Sequence, residues 1–335
     1  MKAYISHAFE GVDSLVLEDV PSPGVIAPGQ VRVRMRAASV NYRDLIVLSG
    51  AFRGRTPPNL MLCSDGAGEV IETAPDVWRV RPGDRVAMTF NPDWIGGPFQ
   101  LYPGAMGRGG ALQGVMCEEW LFNQQELVLL PQHFSFEEGA SLPCAAVTAW
   151  HALCGEQPLM PGMSVLLQGG GGVSLFALQF EKLFGARVIM ISSSAARCEK
   201  LRALGADETI DYNATPDWDS AVKHLTNGAG VDLTVEVGGA NTIQRSLAST
   251  RIDGRLAMVG LLSGPPDAVS IFSAGIRISP IKVGSRDDFE AMNRAISFHK
   301  IRPVIDSRYN FEDLPKALRH LESGKHFGKI VVGFD

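Results

Sequence analysis

Alternation of apolar and polar residues organises the first third of the chain. Runs such as KAYIS, SLVLEDV, QVRVRMRAASV, GEVIETA, DRVAMTF and EWLFNQQELVLLP read as short strands, and the turns PSPG, APG and RPGD separate them. This part is expected to be a mainly β domain. Near residue 130 the pattern changes, and from Ala140 helix-like and strand-like segments alternate, with strands at VDLTVEV and RLAMVG. That alternation predicts a parallel sheet whose carboxyl ends carry a ligand. It changes again near residue 285. DDFEAMNRAISFHK and FEDLPKALRHLESG then read as helices and KIVVGF as a closing strand. Residues 91–114 form one long irregular insertion, expected to be a surface loop that covers a pocket or touches another subunit, or else a plain excursion.

The most informative stretch is SVLLQGGGGVSLFALQFEKLFGARVIMISSS, residues 164–194. Val165 to Leu167 form a short apolar strand that stops at Gly169. Gly169, Gly171 and Gly172 lack the Cβ atoms that would obstruct a tight turn, and with Val173 they lead into a helix whose positive end suits a pyrophosphate. Leu175, Leu178, Phe180 and Leu183 supply that helix's apolar face, Gly185 its C-terminal cap, and Val188 to Ile191 the next strand. The spacing is G-x-G-x-x-S, because Ser174 stands where the strict fingerprint has its third glycine. This predicts a Rossmann-type dinucleotide unit, an oxidoreductase being the leading reading and a flexible glycine loop the alternative.

About 20 residues beyond the first glycine, an NAD-binding chain would carry a carboxylate for the ribose hydroxyls. Here Ser192, Ser193 and Ser194 stand in that place, with Arg197 one turn on. Small hydroxyls leave room for a 2′-phosphate and an arginine pairs with it, so NADPH is the expected cofactor. The same serines would also cap the helix that contains Arg197.

Composition narrows the class. The 335 residues exceed the usual limit of one hydrophobic core, and 45% hydrophobic with 20% charged is ordinary globular usage. A net charge of −5 argues against nucleic acid or an anionic membrane as partner. No run approaches the roughly 18 apolar residues of a membrane span, and MKAYISHAFEGVDS does not read as a secretory signal. Five scattered cysteines fit reduced thiols, so a cytoplasmic location is expected.

Together SVNYRDLIVLSG, SDGAGEVIE, RPGDRVA, FSFEEGASLPCAAVTAWHAL, the glycine turn, LRALGADETIDY, GVDLTVEVGG, GRLAMVG and SGKHFGKIVV resemble the medium-chain dehydrogenase/reductase superfamily over essentially the whole chain. The resemblance implies an α/β architecture: a doubly wound Rossmann sheet plus a GroES-like, mainly β catalytic domain made from both ends of the chain. The expected boundaries are 1–125, 126–284 and 285–335. It also implies a homodimer. Carried over position by position, it assigns Thr148, Val237, Gly238, Val259, Gly260, Leu261, Ser285, Phe327 and Lys329 to the cofactor. Lys329, like Lys325, reads equally as an exposed, solvated charge. Tyr212 would stack near the adenine or merely pack.

Zinc is where the chain departs from the alcohol dehydrogenases of that superfamily. The three catalytic ligand positions hold Asn41, Ser64 and Cys144, and a thiol with an amide and a hydroxyl is a poor zinc site. No metal is expected, and Cys144 reads as a small core thiol. Charge on a substrate oxygen must then be met by hydrogen-bond donors or proton delivery. Tyr42 is the candidate donor, Asp44 a group that orients its neighbours, and Asn41 a holder of the substrate or cofactor amide. The alternative for all three is a helix cap. The substrate expected is a small carbonyl compound, enone or quinone. Alcohol or aldehyde oxidoreduction is the runner-up, and a nucleotide-binding sensor without turnover is the reading from another class.

Overall fold

The computed structural model describes residues 1–101, 107–155, 157–260, 262–264 and 275–334. In chain order the first elements are β1 (Lys2–Ser6), β2 (Leu15–Asp19), β3 (Gln30–Val40), α1 (Tyr42–Leu48), β4 (Leu60–Met61), β5 (Asp65–Thr73), β6 (Arg85–Met88), β7 (Glu119–Asn123), β8 (Leu127–Leu129) and α2 (Phe136–Ala140). A π-helical turn, Leu142–Ala146, leads into α3 (Val147–Cys154). The alternating part follows with β9 (Ser164–Gln168), α4 (Gly172–Leu183), β10 (Arg187–Ser192), α5 (Ala195–Ala203), β11 (Glu208–Asp211), α6 (Trp218–Leu225), β12 (Val231–Glu236), α7 (Ile243–Ser249), β13 (Thr250–Met258) and β14 (Arg277–Pro280). The chain ends with α8 (Arg286–His299), β15 (Ile305–Asn310), α9 (Leu314–Glu322) and β16 (Lys329–Gly333). Among the described residues no helix is long and apolar enough to cross a membrane.

Two compact units result, one of residues 1–147 with 284–335, the other of residues 148–283. The first break therefore falls later than 125. β8 and α2 go with the first unit because β8 pairs with β6 and α2 packs on β3 and β5.

In the first unit a seven-stranded sheet runs in the order β15-β16-β3-β5-β6-β8, with β7 also paired to β3, and β2-β1-β4 form a small second sheet. The eleven-residue β3 is the spine. Its beginning, Gln30 to Arg34, pairs with β7, and its end, Ala37 to Val40, pairs with β16 from the far end of the chain. Val31, Val33 and Met35 alternate inward on it, as its two-residue period predicts. Strands β4 and β15 were not foreseen. The first has two residues, and in the second, IDSRYN, the only strong apolar residues are half-buried.

The insertion at 91–114 is exposed over part of its length, Leu101 most of all, but it is anchored rather than a plain excursion. Trp94 is buried, with its indole N–H donating to Gly97 O at 2.9 Å. Backbone N–H groups of Arg286 and Asp287 donate to Trp94 O and Ile95 O, both at 2.9 Å, so this stretch covers the start of α8. Arg108 is buried on Glu126, its Nε donating at 2.9 Å. Both ends are thus held in the core; residues 102–106 lie outside the described residues.

The second unit is a parallel six-stranded sheet ordered β11-β10-β9-β12-β13-β14, a doubly wound arrangement with its order reversing beside β9. Helix α4 is buried more fully than a single apolar stripe predicts: Leu175, Phe176, Ala177, Leu178, Phe180 and Glu181 are all inaccessible, while Leu183 is only half-buried. Gly185, at φ +71°, ends it as expected.

The odd serine of the glycine turn has a physical reason. Ser174 Oγ donates to the Gln168 carbonyl at 2.6 Å, tying the first turn of α4 to the end of β9. Ser174→Ala is expected to lose about 1 kcal/mol in urea unfolding. An unchanged midpoint would show that this buried bond adds nothing.

Candidate functional sites in the two units

In the second unit the glycine turn has the geometry of an anion cradle. Gly169 sits at φ +70°, a conformation that strongly favours glycine, and its N–H donates to Ile191 O at 2.7 Å. Gly171 is the N-cap of α4 and offers no side chain to the helix start, so the N–H groups of Gly172 and Val173 are not claimed by a cap.

Ser192 ends β10, buried, its hydroxyl without a hydrogen-bond partner among the described residues. Ser193 gives its carbonyl to Asn213 Nδ2 at 2.7 Å, and Ser194 caps α5, its Oγ accepting from Arg197 N at 3.3 Å. The capping alternative therefore describes Ser194. Tyr212 is anchored beside them by its N–H to Ser192 O at 2.9 Å, with its ring partly exposed.

The neighbouring loops are built on two residues the sequence reading passed over, Gln168 and Glu236. Gln168 Oε1 accepts from Val237 N and Gly238 N, both at 3.2 Å, and its Nε2 donates to Glu236 Oε2 at 2.8 Å and Ser246 Oγ at 2.7 Å. Glu236, fully buried, accepts on Oε1 from Gly238 N, Gly239 N and Thr242 Oγ1 at 2.6–2.9 Å, and Ser246 Oγ donates to its Oε2. Its carbonyl also takes the N–H groups of Val259 and Gly260. One buried residue thus serves both turns, its carboxylate holding Gly238 and Gly239 and its backbone carbonyl holding Val259 and Gly260. The signal was present as polar residues closing the apolar strands SVLLQ and VDLTVE. Thr148 is buried on α3, and Leu261 lies outside the described residues.

In the first unit, strand register assembles a polar cluster. β16 pairs antiparallel with β3, Ile330 opposite Val40, and β3 with β5, Ser39 opposite Asp65. Lys329 thereby meets Asn41. It is not the solvated charge allowed for: only 3% exposed, its Nζ donates to Asn41 Oδ1 at 2.6 Å and to Val40 O at 3.1 Å. Asn41 begins α1, whose N3 residue Asp44 reaches back to accept from Asn41 N at 2.8 Å. Asp44 is completely buried, with Arg43 Nη1 3.6 Å from its Oδ1. Arg43 in turn donates to Arg108 O at 2.9 Å and lies over the Phe90 ring. Tyr42, at the first position of α1, is 41% exposed. The helix-cap alternative thus holds for Asn41 and Asp44, yet both also join the charged cluster.

Burial pushes the Asp44 carboxyl up to about 6 against the pull of Arg43 and the Asn41 N–H, with Asp65 adding to the rise and Lys329 opposing it. Burial, and then Asp65, pushes the Cys144 thiol up to about 12. The donor set at the three zinc positions does not fit a zinc ion. Asn41 Oδ1 is held by an ammonium, Ser64 Oγ donates to Asp65 Oδ1 at 2.8 Å, and Cys144 is a protonated thiol whose N–H binds Asp65 Oδ2 at 3.1 Å. Among the described residues no three His, Cys, Asp or Glu side chains are placed to hold a metal.

Two further assignments take structural roles. Ser285 caps α8 in a reciprocal box with Asp288, and the Phe327 N–H donates to Asp306 Oδ1 at 2.8 Å.

Comparison with known proteins gives a consistent picture. The family model described as zinc-binding dehydrogenase matches residues 172–297, and that described as alcohol dehydrogenase GroES-like domain matches residues 27–132. A zinc-type alcohol dehydrogenase-like protein of Schizosaccharomyces pombe is 37% identical, covering 99% of each chain. Among solved structures, an NAD-dependent alcohol dehydrogenase is 31% identical with a TM-score of 0.90 over all of both chains. A quinone oxidoreductase from Pseudomonas syringae pv. Tomato DC3000 is 26% identical with a TM-score of 0.84 over 99% of each.

The Asp44 shift has a measurable sign. Its folded pKa lies above its unfolded value, so folding loses no stability below pH 3.8 and progressively more as pH rises through about 6. The full loss is about 3 kcal/mol. Asp44→Asn keeps an oxygen facing the Asn41 N–H but cannot ionise, and is expected to escape this loss. Urea midpoints of both proteins should diverge between about pH 4 and pH 7 and keep a constant separation above it; parallel profiles would remove Asp44 as the titrating group.

Proposed function

The chain belongs to the medium-chain dehydrogenase/reductase family, and from that premise we propose that it is a zinc-independent, NADPH-dependent oxidoreductase acting on a quinone or an enone. The observation that carries this reading is the donor set at the zinc positions: amide oxygen, hydroxyl and protonated thiol are each engaged with Lys329 or Asp65, or neutral. Without a Lewis acid, a substrate oxygen that gains charge needs hydrogen-bond donors.

NADPH, when bound, supplies the hydride to the β-carbon of an enone or to a quinone. The Tyr42 phenol donates to the oxygen on which negative charge then accumulates. Asp44 orients the start of α1 through the Asn41 N–H rather than exchanging protons with the substrate. Gly169, Gly171, Gly172 and Val173 receive the pyrophosphate, and the Val237–Gly238 and Val259–Gly260 turns line the nicotinamide side. Ser192, Ser193 and Ser194 offer hydroxyls but no carboxylate to the adenine ribose, and Arg197 adds a charge-assisted bond to a 2′-phosphate. Assembly as a homodimer and a cytoplasmic setting rest on the family resemblance and on the scattered cysteines.

A second reading, reversible alcohol or aldehyde oxidoreduction, is favoured by the names of the yeast relative and the NAD-dependent neighbour. Turnover is expected to favour NADPH over NADH, and Arg197→Ala to raise the KM for NADPH about tenfold or more. Equal use of NADH, or an unchanged KM, would overturn the cofactor assignment. In a panel of quinones, enones, aldehydes and alcohols, the first two are expected to be consumed fastest by protein without stoichiometric zinc. Fastest turnover of alcohols together with one bound zinc would establish the second reading.

A further inference from the structure

Lysine carries only donors, so the Asn41 atom 2.6 Å from Lys329 Nζ is the side-chain oxygen. The amide nitrogen must then point away from the lysine. That nitrogen, Asn41 Nδ2, is buried and has no acceptor among the described residues. A buried donor left unmet is costly, and native structures rarely keep one without a use. Lys329 itself is unusual. Its ammonium is buried on two neutral oxygens, Val40 O and Asn41 Oδ1, with no carboxylate in ion-pair contact among the described residues. A full positive charge on Oδ1 also draws electron density from the amide and strengthens its N–H groups as donors.

We propose that Lys329 is a positioning residue that locks the Asn41 amide with Nδ2 presented to a carbonyl oxygen of a bound molecule. The identity of that molecule rests on the oxidoreductase reading above: the oxygen belongs either to the enone or quinone or to the nicotinamide carboxamide. Without the lysine the near-symmetric amide keeps only the helix-cap contact from the N3 backbone to set its orientation. With it, one orientation remains, so the donor is set before the ligand arrives.

Lys329→Met removes the lock, Lys329→Arg keeps a cationic donor, and Asn41→Asp keeps the acceptor for Lys329 while deleting the donor. Lys329→Met and Asn41→Asp are each expected to lower kcat/KM about 100-fold. The double variant should lose little more than either single one, and Lys329→Arg should recover part of the loss. A weakened NADPH Kd, read by fluorescence, would identify the carboxamide; an unchanged Kd with an altered enone KM or kcat would identify the acceptor. The side-chain amide NMR signals of Asn41, assigned by their absence in Asn41→Asp, are expected to move in Lys329→Met. This readout needs no turnover, so a wild type inactive on every acceptor would sink the functional reading while leaving the lock measurable. Asn41 amide signals that stay in place in Lys329→Met, or kcat/KM and NADPH Kd both within about twofold of wild type in that variant, would overturn the proposal.

Discussion

The pairing of β16 with β3 is the constraint on which the candidate chemistry of the first unit depends. It joins residues from opposite ends of the chain, and its register, Ile330 opposite Val40, delivers Lys329 to Asn41. A slip of one residue would turn the lysine to the other face of the sheet, because side chains alternate along a strand. The buried ammonium would then lose the oxygens that offset its desolvation, and Asn41 would lose the group that orients it. The same strand meets β5, which brings Ser64 and Asp65 into the cluster, so one sheet gathers groups separated by most of the sequence.

Charge in that cluster is arranged in a particular way. Asp44 and Asp65 are carboxyl groups in a buried setting with Arg43 and Lys329; Arg43 reaches Asp44 and the Arg108 carbonyl, whereas Lys329 rests on neutral oxygens. Such a site is polarised without a metal. A thiol held near pKa 12 and a hydroxyl turned toward Asp65 give a divalent cation little to bind, while fixed donors remain for a substrate oxygen.

The second unit shows the complementary case, in which a buried polar network builds backbone rather than chemistry. Gln168 and Glu236 satisfy the N–H groups of Val237, Gly238 and Gly239, and a Cβ on Gly238 would come within 2.3 Å of Thr242 Oγ1. The backbone donors of Val237, Gly238, Gly239, Val259 and Gly260 thus each have a partner inside the protein, which fixes the path of both turns.

Much of this was legible in the chain. The parallel unit, its glycine turn and the cap at Gly185 follow from apolar periodicity and backbone sterics, which act over a few neighbouring residues. So did the poor zinc donors at Asn41, Ser64 and Cys144, once the flanking motifs placed them. What only the tertiary structure decided are contacts between distant segments. Lys329 read as a possible solvated charge because nothing near it in sequence shows that β16 buries it. The aromatic and glycine content of residues 91–114 likewise does not reveal that the Trp94 carbonyl meets the start of α8 and that Arg108 pairs with Glu126. Ser174 departs from the fingerprint because the fold sets the Gln168 carbonyl beside its hydroxyl. Local pattern determines elements and their ends; the partners of a buried polar group are set by strand register, which the sequence carries only through the whole fold.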